Sequence, residues 1–331
     1  MKFYLWILMA LIAGSCTTNK TQIAFLLPHL KNERYIKEEQ YFTDKIAELG
    51  GEALVIDANN DPKVQINQAI DFLNKGVKVL VISAVNANLA AEIVRQAHNH
   101  NAKVIAYDRL INNSNPDYYI SFKYEDIGYN MADYVLKLKP IGNYIIVGGD
   151  KTDFNAVQIT KGQMKALENS VKAGKIKILY NVSIEEWNAD NAKHEIDYFL
   201  NLSDITPDVI ISSSDKMTGG ILEALESHNL VGKVLLTGMD VEKTACRNMV
   251  AGKQAVSIYK PFKKLATTAA ELAMNCSKDK VLEQQINDKM WNGFCNVPTL
   301  FIETFVIDKN NIRSKVIADG YFTEADIYSG K

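Results

Sequence analysis

An apolar run, Val104-Ile105-Ala106-Tyr107, ends abruptly on Asp108 and Arg109. A carboxylate and a guanidinium at the tip of a buried strand are suited to holding a polar ligand, because ligands of open α/β sheets sit outside the carboxyl ends of the strands. Taken alone, the pair reads as a capping Asp beside a solvated Arg. The case for a site is recurrence: Glu33-Arg34-Tyr35, Asp153-Phe154-Asn155, Trp187, Ser214-Asp215, Asp240 and Lys260 also fall at or just beyond expected strand ends. Charged planar groups at the edge, with aromatics above and below, suit a ring of hydroxyls around an apolar face. Asp108, Asp153 and Asp240 balance Arg34, Arg109 and Lys260. A neutral set favours an uncharged pyranose over a phosphate or carboxylate, which would need excess cations.

These residues must be carried by a frame, and the periodicity supplies one. Short β-rich runs alternate with stretches of helical period from Gln22 onward, the pattern of a parallel sheet covered by helices on both faces. Strands are expected at 22–28, 53–57, 77–83, 103–108 and 118–122, with helices near 33–49, 63–74 and 89–100. A second series has strands at 144–148, 176–182, 208–214, 234–240 and 255–259, and helices near 156–171, 191–200, 217–227 and 242–250. The two series follow one plan, so Asp108 and Asp240 become equivalent tips of facing lobes with a cleft between them. Lys260-Pro261 closes the second series, since Pro donates nothing to a ladder. The helix 262–274 and the run 300–308 then return to complete the first lobe and the hinge.

With 331 residues, 47% of them hydrophobic, the chain fills two ordinary cores. A formal charge of −2, with Lys and Arg scattered, leaves no footprint for nucleic acid. At the N-terminus, Lys2 precedes an unbroken apolar stretch from Phe3 to Ala13. It is shorter than the ~20 residues a membrane span needs, and has the charged start and apolar middle of an export signal. Ala13-Gly14-Ser15-Cys16 resembles a bacterial lipobox, with Ala13 where Leu is commoner. The resemblance implies lipidation of Cys16, a removed signal over 1–15, a short tether over 16–22 and an extracytoplasmic mature protein, in the periplasm or at the cell surface.

Other chemistries find no support. The first strand-to-helix turn, Pro28-His29-Leu30-Lys31-Asn32, has no glycine-rich approach for a nucleotide. His98, His100, His194 and His228 fall on helices or their ends, His29 has no evident acid partner, and no His pair has metal-ligand spacing. No enzyme, metal site or cofactor is expected. Cys276 and Cys295 flank a polar stretch and read either as a bridge or as free thiols.

At Glu33-Arg34-Tyr35, Ala106 to Asn112, Tyr119-Ile120-Ser121-Phe122, Lys161-Gly162-Gln163-Met164, Tyr259-Lys260-Pro261 and Val297-Pro298, the chain resembles the D-xylose-binding proteins of bacterial ABC importers. These belong to the wider group of periplasmic sugar-binding proteins of the ribose and galactose type. The resemblance spans nearly all of the mature chain. It implies two doubly wound parallel-sheet lobes joined by a hinge, the type I periplasmic binding protein architecture. The first lobe is expected over 23–124 plus about 262–304, the second over 125–261 plus about 305–331. It implies sugar contacts at Arg34, Asp108, Arg109, Asp153, Asn155, Asp240 and Lys260, with Tyr35 and Trp187 stacking. Three positions depart from the pattern: Tyr35 stands for Trp, Phe154 for Asn, and Ser214 for an Asn that touches sugar. The expected partner is an importer permease; the alternative is a membrane sensor kinase that reads the closed form. A repressor of the same fold would carry a DNA-binding module where this chain has its signal.

Overall fold

The computed structural model describes residues 20–31, 33–280 and 286–329; the expected signal over 1–15 and Cys16 lie outside them. In chain order the first half holds β1 (Gln22–Leu27), α1 (Glu33–Glu48), β2 (Glu52–Asp57), α2 (Pro62–Asn74), β3 (Val79–Ile82), α3 (Ala91–Asn99), β4 (Lys103–Tyr107) and β5 (Tyr118–Phe122). The second half runs α4 (Tyr124–Leu138), β6 (Gly142–Gly148), α5 (Phe154–Lys172), β7 (Ile176–Ser183), α6 (Ala189–Leu202), β8 (Val209–Ser212), α7 (Asp215–Ser227), β9 (Leu235–Leu236), α8 (Lys243–Val250) and β10 (Ser257–Tyr259). The chain then returns through α9 (Phe262–Cys276), β11 (Asp288–Trp291), β12 (Asn296–Ile302), β13 (Phe305–Ile307) and α10 (Glu324–Tyr328).

One sheet has the order β11-β12-β5-β4-β3-β1-β2 and the other β7-β6-β8-β9. Both contain the same doubly wound kernel, β2-β1-β3-β4 in one and β7-β6-β8-β9 in the other, so each lobe has a switch point where its strand order reverses. A crevice opens at the C-terminal strand ends there. In the larger sheet Phe25, Val81 and Ile105 pack towards α1 and α9, whereas the alternate residues Leu26, Leu80 and Val104 pack towards α2 and α3. Both faces are buried, which is why these strands read as continuous apolar runs.

Several elements differ from expectation. Helix α4 buries Tyr124, Ile127, Gly128, Met131, Ala132 and Val135 at helical spacing and lies tightly on α5; a Cβ on Gly128 would come within 1.9 Å of the Ile159 carbonyl oxygen. Strand β9 keeps only two of the seven residues expected, because the following stretch wraps buried Asp215. Strand β10 meets the smaller sheet through Ile258, which donates its N–H to Gly238 and bridges Met239, and pairs antiparallel with β13 on its other edge. The return run therefore divides: β12 joins β5 in the first sheet, and β13 joins β10. An antiparallel edge strand, β11, was not foreseen. Cys276 and Cys295 are both free.

Candidate functional site

Asp108 organises the cleft. It follows β4 in a left-handed conformation, φ 62°, that Asp tolerates better than most residues. Its N–H donates to the Ile120 carbonyl, and its own carbonyl accepts from the Tyr119 and Ser121 hydroxyls at 3.0 and 2.8 Å. With the backbone anchored, the carboxylate is aimed: Oδ1 accepts the Tyr124 hydroxyl at 2.6 Å and Oδ2 lies 2.8 Å from Arg34 Nη2. Burial alone would raise this carboxyl's pKa, but Arg34, Lys260, the Tyr124 hydrogen bond and Arg109 outweigh it and bring it to about 2.

Arg34 is not a solvated helix-face charge. It leaves the first turn of α1, donates from Nε to Glu38 Oε1 at 2.8 Å and lies over the Phe262 ring, 4.2 Å from its centroid. Arg109 donates to the Ala84 carbonyl at 3.2 Å, and its charge is felt by Tyr35, Asp153 and Asp108. Buried Tyr35 meets His29 edge to face at 5.0 Å.

The second lobe contributes its own tips. Asp153 caps α5 by accepting the Asn155 N–H at 2.9 Å, and buried Asn155 reaches across with Nδ2 3.5 Å from the Asp108 carbonyl oxygen. The Asn155 Oδ1 has no hydrogen-bond partner among the described residues. Asp240, at φ 96°, pairs with buried Lys260 at 2.8 Å, and Lys260 lies 5.2 and 5.3 Å from the Tyr124 and Phe262 ring centroids. Trp187 also has a positive φ, 54°, and its indole covers Gly149, where a Cβ would fall 2.3 Å from the ring. Ser214 caps α7, accepting the Met217 N–H at 3.2 Å.

The geometry thus gathers Arg34, Tyr35, Asp108, Arg109, Asp153, Asn155, Asp240 and Lys260 about one crevice. Trp187 lies at the same ends of the smaller sheet, against Gly149, and Ser214 there caps α7. Asp215 turns away from it: Gln254 and Ser257 side chains and the Glu242 N–H all donate to its carboxylate, which is therefore an internal anchor. Residue types alone did not single out Glu38 and Tyr124. Glu38 is fully buried one turn beyond Arg34; burial first, and the neighbouring Asp108, push its carboxyl up to about 7 against the pull of Arg34. The spacing from Arg34 is the signal that would have found it. No cluster able to hold a metal ion occurs among the described residues.

Residues 23–280 match the model of the periplasmic binding protein domain. The chain belongs to that family. A periplasmic binding protein holds its substrate and does not transform it, in keeping with a cleft built from paired charges. This one is 35% identical over 320 residues to the D-xylose-binding periplasmic protein of Haemophilus influenzae, covering 97% of this chain and 96% of the other. The D-xylose-binding periplasmic protein of Escherichia coli K12 is 33% identical over 308 residues, 93% of each chain. Among solved structures, an ABC transporter solute binding protein from Clostridium phytofermentans with bound β-D-glucose superposes with a TM-score of 0.82 at 24% identity, over 92% of this chain and 99% of that one. That likeness is one of fold.

Proposed function

We propose that this chain is the extracytoplasmic sugar receptor of an ABC importer, that D-xylose or a similar aldose is its ligand, and that lipid on Cys16 anchors it to a membrane. The observation that carries the reading is the Asp108 constellation. A buried carboxylate is braced by Arg34 on one oxygen and Tyr124 on the other, and Asn155 of the opposite lobe reaches its backbone. Two D-xylose-binding relatives, a third identical over nearly the whole chain, support the choice of sugar. In this reading Asp108, Asp153 and Asp240 accept from sugar hydroxyls, Arg34, Arg109 and Lys260 donate to them, Asn155 does both, and Tyr35 and Trp187 cover the ring faces. Closing the lobes takes the ligand out of water and makes the bound form distinct to a membrane partner.

Isothermal titration against a panel of pentoses and hexoses tests the proposal, with product analysis after incubation. Saturable xylose binding without turnover is expected. Charge-assisted hydrogen bonds contribute about 1.5–3 kcal/mol each, so Asp108→Ala or Arg109→Ala should weaken xylose by roughly one to two decades. Unchanged affinity in both variants removes the cleft from the account. Acyl labelling that disappears with Cys16→Ala tests the anchor.

A further inference from the structure

The guanidinium of Arg34 is held from two sides by carboxylates, of which Asp108 also accepts the Tyr124 hydroxyl. Nε is committed to Glu38 and Nη2 to Asp108, each at 2.8 Å. Glu38 is wholly buried, and besides Arg34 the polar group set against its carboxylate is the Tyr107 hydroxyl, which holds its pKa down. From α1 it faces Arg34 and Tyr35, and from β4 Tyr107 and Asp108, while Tyr124 at the start of α4 faces Arg34 and Asp108. Helix α9 closes this part of the core with Phe262, Leu265 and Ala266, and β1 with Phe25 and Leu27, none of which carries charge. One part-buried cation therefore serves two buried anions, with Lys260 and Arg109 adding to the hold on Asp108.

We propose that Glu38 is a positioning residue for ligand binding: its ionised carboxylate clamps the Arg34 fork at Nε so that the remaining N–H groups are set for a ligand, and its protonation slackens that clamp. The inference rests on Arg34 touching sugar, as proposed above. A neutral carboxyl loses the ion-pair attraction to the Arg34 guanidinium and so holds it more weakly than an ionised one. Phe262 can keep the fork near the cleft but cannot orient it within its plane. Because burial lifts the Glu38 carboxyl above its ordinary range towards neutral pH, the clamp forms as the pH rises through it and slackens as the pH falls. If the ligand selects the ionised form, binding must expel a proton. The affinity should then rise with pH across the neutral range.

The test is calorimetric titration of D-xylose into wild type, Glu38→Gln and Glu38→Asp at pH 6, 7 and 8, in two buffers of different ionisation enthalpy, with a melting curve for each variant. Wild type should bind roughly three- to tenfold more tightly at pH 8 than at pH 6 and release a fraction of a proton at pH 7. Glu38→Gln should bind at every pH like wild type at pH 6 and release none; Glu38→Asp, shorter but still ionisable, should regain part of both effects. His29, beside Tyr35, and Asp215, next to Ser214 and lifted by burial to about 8, are the other groups whose titration reaches this range, so His29→Gln and Asp215→Asn should each leave the wild-type profile in place. Wild-type affinity and proton release in Glu38→Gln, or a profile that vanishes with His29→Gln or Asp215→Asn instead, overturns the inference. Should Glu38→Gln fail to fold, absence of proton release in wild type does so on its own. Failure of wild type to bind any sugar would instead sink the functional reading and is read separately.

Discussion

Tyr124 donates its hydroxyl to Asp108 Oδ1 at 2.6 Å, so the first residue of α4, where the chain crosses to the second lobe, is bonded to the carboxylate that tips a first-lobe strand. The bond does two things at once: it orients the carboxylate and helps keep it ionised. Tyr124→Phe removes a charge-assisted hydrogen bond and should weaken xylose by about a decade. It also has a pH consequence. Asp108 sits below its ordinary 3.8, near 2, so between those values the unfolded chain binds more protons than the folded one. The stability it contributes is fully present above 3.8 and is lost as the pH falls through about 2. Tyr124→Phe raises the folded pKa and shrinks that contribution. Acid unfolding followed by circular dichroism should move to higher pH in the variant; a coincident curve would mean the bond does not influence the carboxylate.

Trp187 depends on an empty place at Gly149. A Cβ there would lie 2.3 Å from the indole, so Gly149→Ala must displace the ring. Overpacking of this kind costs about 1–3 kcal/mol. If Trp187 covers a sugar face, xylose affinity falls by an order of magnitude or more while the variant remains folded. Wild-type affinity with a lowered melting temperature would make Trp187 a core residue only.

Phe154 begins α5 in the second lobe yet packs on the first-lobe cluster with Met290 and Phe301, beside a cavity of about 60 Å³ that Tyr119, Phe122 and Tyr124 also line. Phe154→Asn withdraws apolar surface from an interlobe contact at a cost of about 1–2 kcal/mol. It should weaken xylose by roughly a decade, chiefly through faster release from a less stable closed form. Stopped-flow release rates check this, and an unaltered rate contradicts it.

Ser214 is already occupied as the cap of α7. Asn caps helices as well as Ser does, so Ser214→Asn should leave the melting temperature within a degree or two. If the amide reaches the ligand, a neutral hydrogen bond of about 0.5–1.5 kcal/mol tightens xylose several-fold, or larger sugars are excluded. Titration of both proteins against one panel decides; constant affinity ratios would leave Ser214 with its capping role alone.

The physical reason for what the sequence determined is local. Most strand and helix periods, the Asp and Arg that end an apolar run at Tyr107, and the break at Lys260-Pro261 depend on neighbours in the chain and appear in the structure where the pattern put them, whereas the shortened β9 and the unexpected α4 and β11 do not. The β2-β1-β3-β4 order and its repeat are legible only in the folded sheets. What the tertiary structure alone also decided is which charges share a partner. Asp215 and Asp108 look alike as acids after apolar strands, yet one is satisfied by three internal donors and the other meets Arg34, Tyr124 and the opposite lobe. Glu38 reads as one more acid on a charged helix until α9 and β4 bury it. Ion pairs, desolvation and the resulting pKa values depend on distances between segments far apart in the chain, and those distances exist only once the lobes are packed.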